Sequence, residues 1–318
     1  MTQVNHRCAV LGKPIAHSLS PVLHEAAYKA LGLDDWAYER HEVGETDLKR
    51  FLDDLDPTWR GLSLTMPLKK TVQPYGTPKD AWAKSLKVAN TAVFDWSHAA
   101  EHDGKPDIAL YNTDVPGIIY AFGHACDVSD GPSLEERDLK RATVIGNGNT
   151  AASAACAIAV MLASSGNGEE RGRGEITVAA RHPGKNPDIT RIVAEEDSAD
   201  LREVDLEQAV ESLRGADIAV STIPGHAADV IAETIETDDS FFPRGILLDV
   251  VYDPRPSALI RAWRAKGGLA LGGEEMLLYQ AILQVRLMTG AEGEAALAGR
   301  DPMTTLEPPM RRALEEAL

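Results

Sequence analysis

The sequence predicts an α/β protein of two domains, an α/β unit and a doubly wound, parallel-sheet unit, with a cleft expected between them. Three observations carry this prediction. The 318 residues exceed one ordinary core of roughly 150 residues. Short apolar runs alternate with helical patterns along most of the chain. A glycine-rich turn beginning at Gly146 also separates an apolar run from a long alanine-rich one.

In the amino-terminal part, apolar runs predict strands over 6–12, 37–43 and 61–65, with helical periodicity over 21–31 and 46–55 between them. A Pro- and Gly-bearing stretch over 73–79 precedes a short helix over 81–86 and two strands over 90–94 and 108–111. This domain closes near Asp114. A polar segment over 127–141 leads to a strand over 142–145, and the glycine turn opens a helix over 151–163, whose small side chains permit close packing on a sheet. Strands over 176–180, 218–222 and 246–251 alternate with helices over 206–213, 226–234 and 258–265, as a parallel sheet requires. The segment 164–174 reads as a flexible loop. A long amphipathic helix is expected over 274–289 and another over 308–318, opened by Pro308 and Pro309.

Composition excludes several functions. Hydrophobic residues make up 44% of the chain and charged residues 25%, so burial can offset chain entropy. Forty-nine acids against 32 bases give a net charge of −17, which repels nucleic acid and anionic lipid. Cys8, Cys126 and Cys156 lie far apart and form no CxxC motif, as expected in a reducing compartment. The amino terminus lacks a signal-peptide pattern and no run of about 18 apolar residues occurs. A cytoplasmic location is expected.

Gly146-Asn147-Gly148-Asn149-Thr150-Ala151 fits G-x-G-x-x-[GA] between a strand and a helix, where glycines let helix amides approach a pyrophosphate. This context favours dinucleotide binding by a Rossmann-type domain over a plain glycine turn. The second strand of that domain ends at Arg181-His182, with Lys185 nearby. A cationic tip suits the 2′-phosphate of NADP(H), whereas a free ribose hydroxyl calls for an acid. In Ser18-Leu19-Ser20-Pro21, Ser20 reads as an N-cap and Pro21 as the first helical residue; the same hydroxyls could bind a carboxylate. Lys69 and Lys70, following Pro67, read as a solvated pair, and Asn112-Thr113-Asp114 as an Asx turn and cap. Gln280 sits in an apolar stretch, where a buried amide must find a partner. His17 and His24 lack a third ligand at a suitable spacing, so no metal site is expected.

Taken in order, these segments resemble the shikimate dehydrogenase family over almost the full chain. The matches are 12–21 with His24, then 65–69, 89–91, 112–114, the glycine loop, 249–252 with Pro254, and Gly273 with Met276, Leu277 and Gln280. The resemblance implies reversible reduction of 3-dehydroshikimate to shikimate by NADPH, in aromatic amino-acid biosynthesis, by a monomer or homodimer. It implies a substrate domain of residues 1–115 completed by helices within 273–318, and an NADP-binding domain over 116–272. Lys69 and Asp114 would be the catalytic pair. Ser18 and Ser20 would bind the carboxylate, and Thr65, Asn90, Tyr252 and Gln280 the ring or its hydroxyls. Gly146 to Ala151, Arg181, His182 and Lys185 would hold NADP, with Val250 and Gly273 near the nicotinamide.

Several positions depart from the family pattern. Ser63 stands where Asn is frequent, Asn149 replaces a common glycine, and Lys87 and Leu110 also occupy glycine positions. Ala180 and His182 differ from the usual Asn-Arg-Thr strand tip. Two rivals remain at this point: a quinate/shikimate dehydrogenase using NAD or both cofactors, and a non-catalytic NADP-binding regulator of the same fold. Arg181 argues against the first, and the presence of Lys69 and Asp114 against the second.

Overall fold

The computed structural model describes residues 3–129, 131–165 and 173–318. The expected flexible loop over 164–174 falls largely on 166–172, outside the described residues. The chain divides into two compact units, one of Met1–Thr113 with Leu277–Leu318, the other of Asp114–Met276.

The first unit opens with β1 (His6–Gly12), α1 (Ser20–Leu31), β2 (Trp36–Glu42), α2 (Leu48–Asp53) and β3 (Trp59–Leu64). There follow α3 (Leu68–Thr71), β4 (Thr77–Pro78), α4 (Ala81–Leu86), β5 (Thr91–Asp95) and β6 (Asp107–Tyr111). The sheet order is β2-β1-β3-β5-β6-β4. β1 lies parallel to β2 and β3, whereas β5 runs antiparallel to both β3 and β6. Leu11, Leu62, Leu64, Leu68 and Trp59 anchor its core.

In the second unit, α5 (Asp114–Val128) precedes β7 (Arg141–Ile145), α6 (Asn149–Ser164), β8 (Gly174–Ala180), α7 (Pro187–Glu196) and β9 (Ala199–Asp205). Then come α8 (Ala209–Arg214), β10 (Ile218–Ser221), α9 (Asp229–Thr237), β11 (Ile246–Asp249), α10 (Ala258–Ala265) and β12 (Leu269–Gly272). The sheet order is β12-β11-β10-β7-β8-β9, all parallel. The order reverses at β7, which places the loop after β7 at the topological switch point where open α/β sheets bind ligands. Ala151, Ala152, Ala154, Ala155, Ala157 and Ala159 are all buried, as expected for a helix packed closely on a sheet.

Four elements of this unit were not expected. α5 carries Pro116, Gly117 and Gly123, which dilute its helical signal. α7 (PDITRIVAEE) has only a few apolar positions among charged ones, and β9 is a charged edge strand rather than an apolar run. β12 has only 4 residues.

The chain continues through α11 (Gly273–Leu297), interrupted by the positive φ of 53° at Gly290, so the first helical segment stops where the sequence suggests. The last helix, α12 (Pro302–Ala317), starts six residues earlier than expected and contains Pro308 and Pro309 rather than opening on them. Asp301 Oδ2 caps it by accepting from the Thr304 amide at 2.8 Å, and Pro302 fits the first turn, where no donor is required.

Candidate active site

In the first unit, the connection between β1 and α1 brings the serines to the helix start. Leu19 occupies the N-cap position and makes no side-chain cap. The expectation that Ser20 caps α1 is therefore corrected: Ser20 is already helical, and its amide donates to Ser18 Oγ at 3.3 Å. The two hydroxyls also meet at 3.3 Å. This pairing gathers both hydroxyls at the start of α1, an arrangement suited to a carboxylate.

Thr65 ends the β3 segment, its amide donating to the Leu11 carbonyl at 2.9 Å. Lys69 lies on α3, half-buried, and its carbonyl accepts from the Ala89 amide at 2.9 Å. The lysine segment thus runs beside Asn90, whose own carbonyl accepts from Leu64 at 2.7 Å. Asn90 is buried; its Oδ1 accepts from the Thr113 amide at 2.8 Å, and its Nδ2 donates to Thr113 Oγ1 at 2.9 Å and Gln280 Oε1 at 3.3 Å. Gln280 is buried too and donates to the Leu277 carbonyl at 2.9 Å, which answers the demand for a partner raised by its apolar surroundings. Asn112 is held by Asp80, which caps α4 with one carboxylate oxygen and accepts from the Asn112 amide with the other at 2.8 Å. Burial raises the Asp80 pKa.

Tyr38 and Gln284, which the sequence did not single out, complete this core with Thr91 and His24. Tyr38, Thr91 and Gln284 are buried around Asn90 and Ser63, and His24 stacks on Tyr38 with ring centroids 3.9 Å apart. Burial pushes the His24 pKa down to about 3, opposed only by the neighbouring Gln284. Gln284 was detectable: it follows Gln280 by one helical turn in the same apolar run.

The second unit presents its candidates differently. Gly146 has φ 104°, and a Cβ there would lie 2.5 Å from Thr222 Oγ1, so the turn after β7 demands glycine. Gly148 is the N-cap of α6 and makes no side-chain cap, leaving the amides of Asn149, Thr150 and Ala151 in the first turn of the helix. Asn149 is helical, which explains why a side chain is accepted there. Asn147 Nδ2 donates to the His182 carbonyl at 2.7 Å, and Asn186 Nδ2 to the Gly148 carbonyl at 3.2 Å. These two amides tie the glycine loop to the exposed tip bearing Arg181, His182 and Lys185. Asn186 also caps α7, accepting from the Asp188 amide, a role that its Asn-Pro start signal carries in the sequence. Gly273 abuts the Val250 carbonyl so closely that no side chain fits between them. Tyr252 lies two residues beyond Val250, and burial raises its pKa.

These features fit a dinucleotide: an uncapped helix start behind a glycine turn for a pyrophosphate, with an exposed guanidinium at the end of the next strand for a 2′-phosphate. Fold and residues together define an α/β protein of the dinucleotide-dependent dehydrogenase class. The family model for the shikimate dehydrogenase substrate-binding domain matches residues 10–92. A Methanosarcina mazei protein named shikimate dehydrogenase (NADP(+)) is 30% identical over 94% of this chain and 98% of its own length. The chain belongs to the shikimate dehydrogenase family. Among solved structures, a shikimate 5-dehydrogenase from Mycobacterium fortuitum superposes with a TM-score of 0.73 at 33% identity, covering 98% of this chain and 99% of that one. The Thermus thermophilus enzyme, solved in complex with NADP(H) and shikimate, gives 0.67 at 29% identity, covering 97% and 99%. Among the described residues, no helix is long and apolar enough to cross a membrane.

Proposed function

We propose that this chain is an NADP-dependent shikimate dehydrogenase, a cytoplasmic enzyme that reversibly reduces 3-dehydroshikimate to shikimate as a monomer or homodimer. The observation that carries the reading is the side-by-side placement of the Lys69 and Asn90 segments within a chain of this family. On this reading residues 1–115, completed within 273–318, bind substrate, and residues 116–272 bind cofactor.

The bound nicotinamide supplies the hydride for reduction and takes it back in oxidation. Negative charge then develops on the substrate oxygen, and a proton donor must meet it. Lys69 takes that role, with Asp114 as its carboxylate partner. Asp114 follows directly on Thr113, which Asn90 holds. Ser18 and Ser20 receive the substrate carboxylate, while Thr65, Asn90, Tyr252 and Gln280 receive the ring and its hydroxyls. Gly146, Asn147, Gly148, Asn149, Thr150 and Ala151 hold the pyrophosphate. Arg181, His182 and Lys185 hold the adenosine phosphate end, and Val250 and Gly273 flank the nicotinamide. NADPH oxidation with 3-dehydroshikimate tests the reading directly. Faster turnover with dehydroquinate and NADH would replace it with the quinate alternative, and no turnover with either pair would remove it.

A further inference from the structure

Buried side chains in the first unit form a hydrogen-bonded chain whose direction is set by three backbone groups. The Thr113 N–H can only donate, so it meets the Asn90 oxygen. The Asn90 carbonyl can only accept, so Gln284 turns its Nε2 toward it, at 3.2 Å. The Leu277 carbonyl fixes Gln280 in the same way. All three amide orientations follow without further assumption.

The hydroxyl directions follow in turn. Gln284 Oε1 needs a donor, and Ser63 Oγ supplies it at 2.8 Å. Ser63 has a single proton, so at its 2.5 Å contact with Tyr38 Oη the tyrosine is the donor. Gln284 Nε2 donates to Thr91 Oγ1 at 3.0 Å, and Thr91 donates onward to Asn90 Oδ1 at 3.0 Å. Asn90 is left with its N–H groups facing Thr113 and Gln280. The Asn90–Gln280 bond, at 3.3 Å, is long for its kind. Thr113 Oγ1, which accepts from Asn90, also donates to Gln280 Oε1 at 3.4 Å, so the Gln280 oxygen is met by both neighbours and the three side chains form one cluster.

We propose that Gln284 and Ser63 are positioning residues that, through this one-way chain, hold the Asn90 amide in the orientation in which it meets the substrate ring. The inference rests on the dehydrogenase reading above. Ser63 is committed to the relay, since its one proton goes to Gln284 and it accepts from Tyr38 inside the core.

The test uses Gln284→Met, which keeps the side-chain length and removes both polar groups, and Ser63→Ala, which breaks the link at Tyr38. Each variant should raise KM for shikimate at least about tenfold and leave KM for NADP+ unchanged. Combined with Asn90→Ala, neither should add a loss beyond that of Asn90→Ala alone, because each acts through Asn90. Among shikimate analogues lacking one ring hydroxyl, one should erase the difference between variant and wild type. Independently of turnover, the Asn90 side-chain NH2 resonances should shift in Ser63→Ala while the spectrum remains that of a folded protein. Losses that multiply in both double variants, or unchanged Asn90 resonances, would overturn the proposal. A wild-type chain that fails to turn over shikimate would overturn the dehydrogenase reading and, with it, the substrate role of the chain; that result differs from intact turnover with multiplying losses.

Discussion

The two units hold their proposed site residues by opposite means. In the first, Ser20, Asn90 and Gln280 are buried and most of their contacts are to other side chains. In the second, the glycine loop is shaped by backbone geometry, and the cationic tip stands in solvent. The difference teaches where binding and stability can be separated. A group wired into a core serves both, whereas an exposed tip serves recognition alone.

The largest effect expected is at Lys69, which lies half-buried at the edge of the wired region. Lys69→Ala should lower kcat by about 10²- to 10⁴-fold with little change in KM, since the lost interaction belongs to the transition state. Steady-state kinetics in both directions check this. A loss confined to KM would assign Lys69 to binding and blur the contrast between the units.

The next effect tests whether the first unit's core depends on an uncharged interior. His24 is held neutral by burial, with its pKa about 3 against an ordinary 6.5. The unfolded chain therefore binds a proton below pH 6.5 that the folded chain refuses until about pH 3. Stability falls with acidification in that window, by about 1.4 kcal/mol per pH unit from this group. His24→Leu should flatten that acid limb in denaturant titrations at successive pH values. An unchanged limb would mean that His24 titrates normally.

For the second unit the matching test is Arg181→Gln. Losing a charge-assisted bond to the 2′-phosphate should raise KM for NADPH about 10- to 100-fold and leave NADH unaffected. Because Arg181 is exposed, the thermal midpoint should hardly move. A variant that loses both cofactors equally, or unfolds early, would show that the tip is structural.

The same contrast explains what could be read from sequence. β1, α4 and α10 match their expected bounds because apolar runs, the Asp80 cap and the Ser257 cap are local signals. The glycine loop was legible for the same reason. The Ser63–Gln284 bond joins residues 221 positions apart, and no local pattern announces it. Ser20 misled because its residue type favours capping, yet Ser18 takes its amide and the helix begins one residue early. Pro308 and Pro309 misled because a stronger start signal, Asp301-Pro302, lies just upstream.

The smallest effect compares a helix end in each unit. α4 stops at Lys87 with φ 51°, and α7 stops at Asp197 with φ 48°, both in the left-handed region. A lysine there strains its Cβ against the backbone, while aspartate tolerates the region better because its short polar side chain can bond locally. Lys87→Gly should therefore stabilise the protein by up to about 1 kcal/mol, and Asp197→Gly by less. The gain at Lys87 should leave KM for shikimate unchanged even though the turn leads within three residues to Asn90, because the Val88 carbonyl remains fixed by Asn112 Nδ2 at 3.0 Å. Thermal midpoints of the two variants, read with shikimate kinetics, decide it. Equal gains would show that side-chain type is immaterial at these ends. A raised KM in Lys87→Gly would show that the strained turn, and not only the buried chain behind it, aims Asn90.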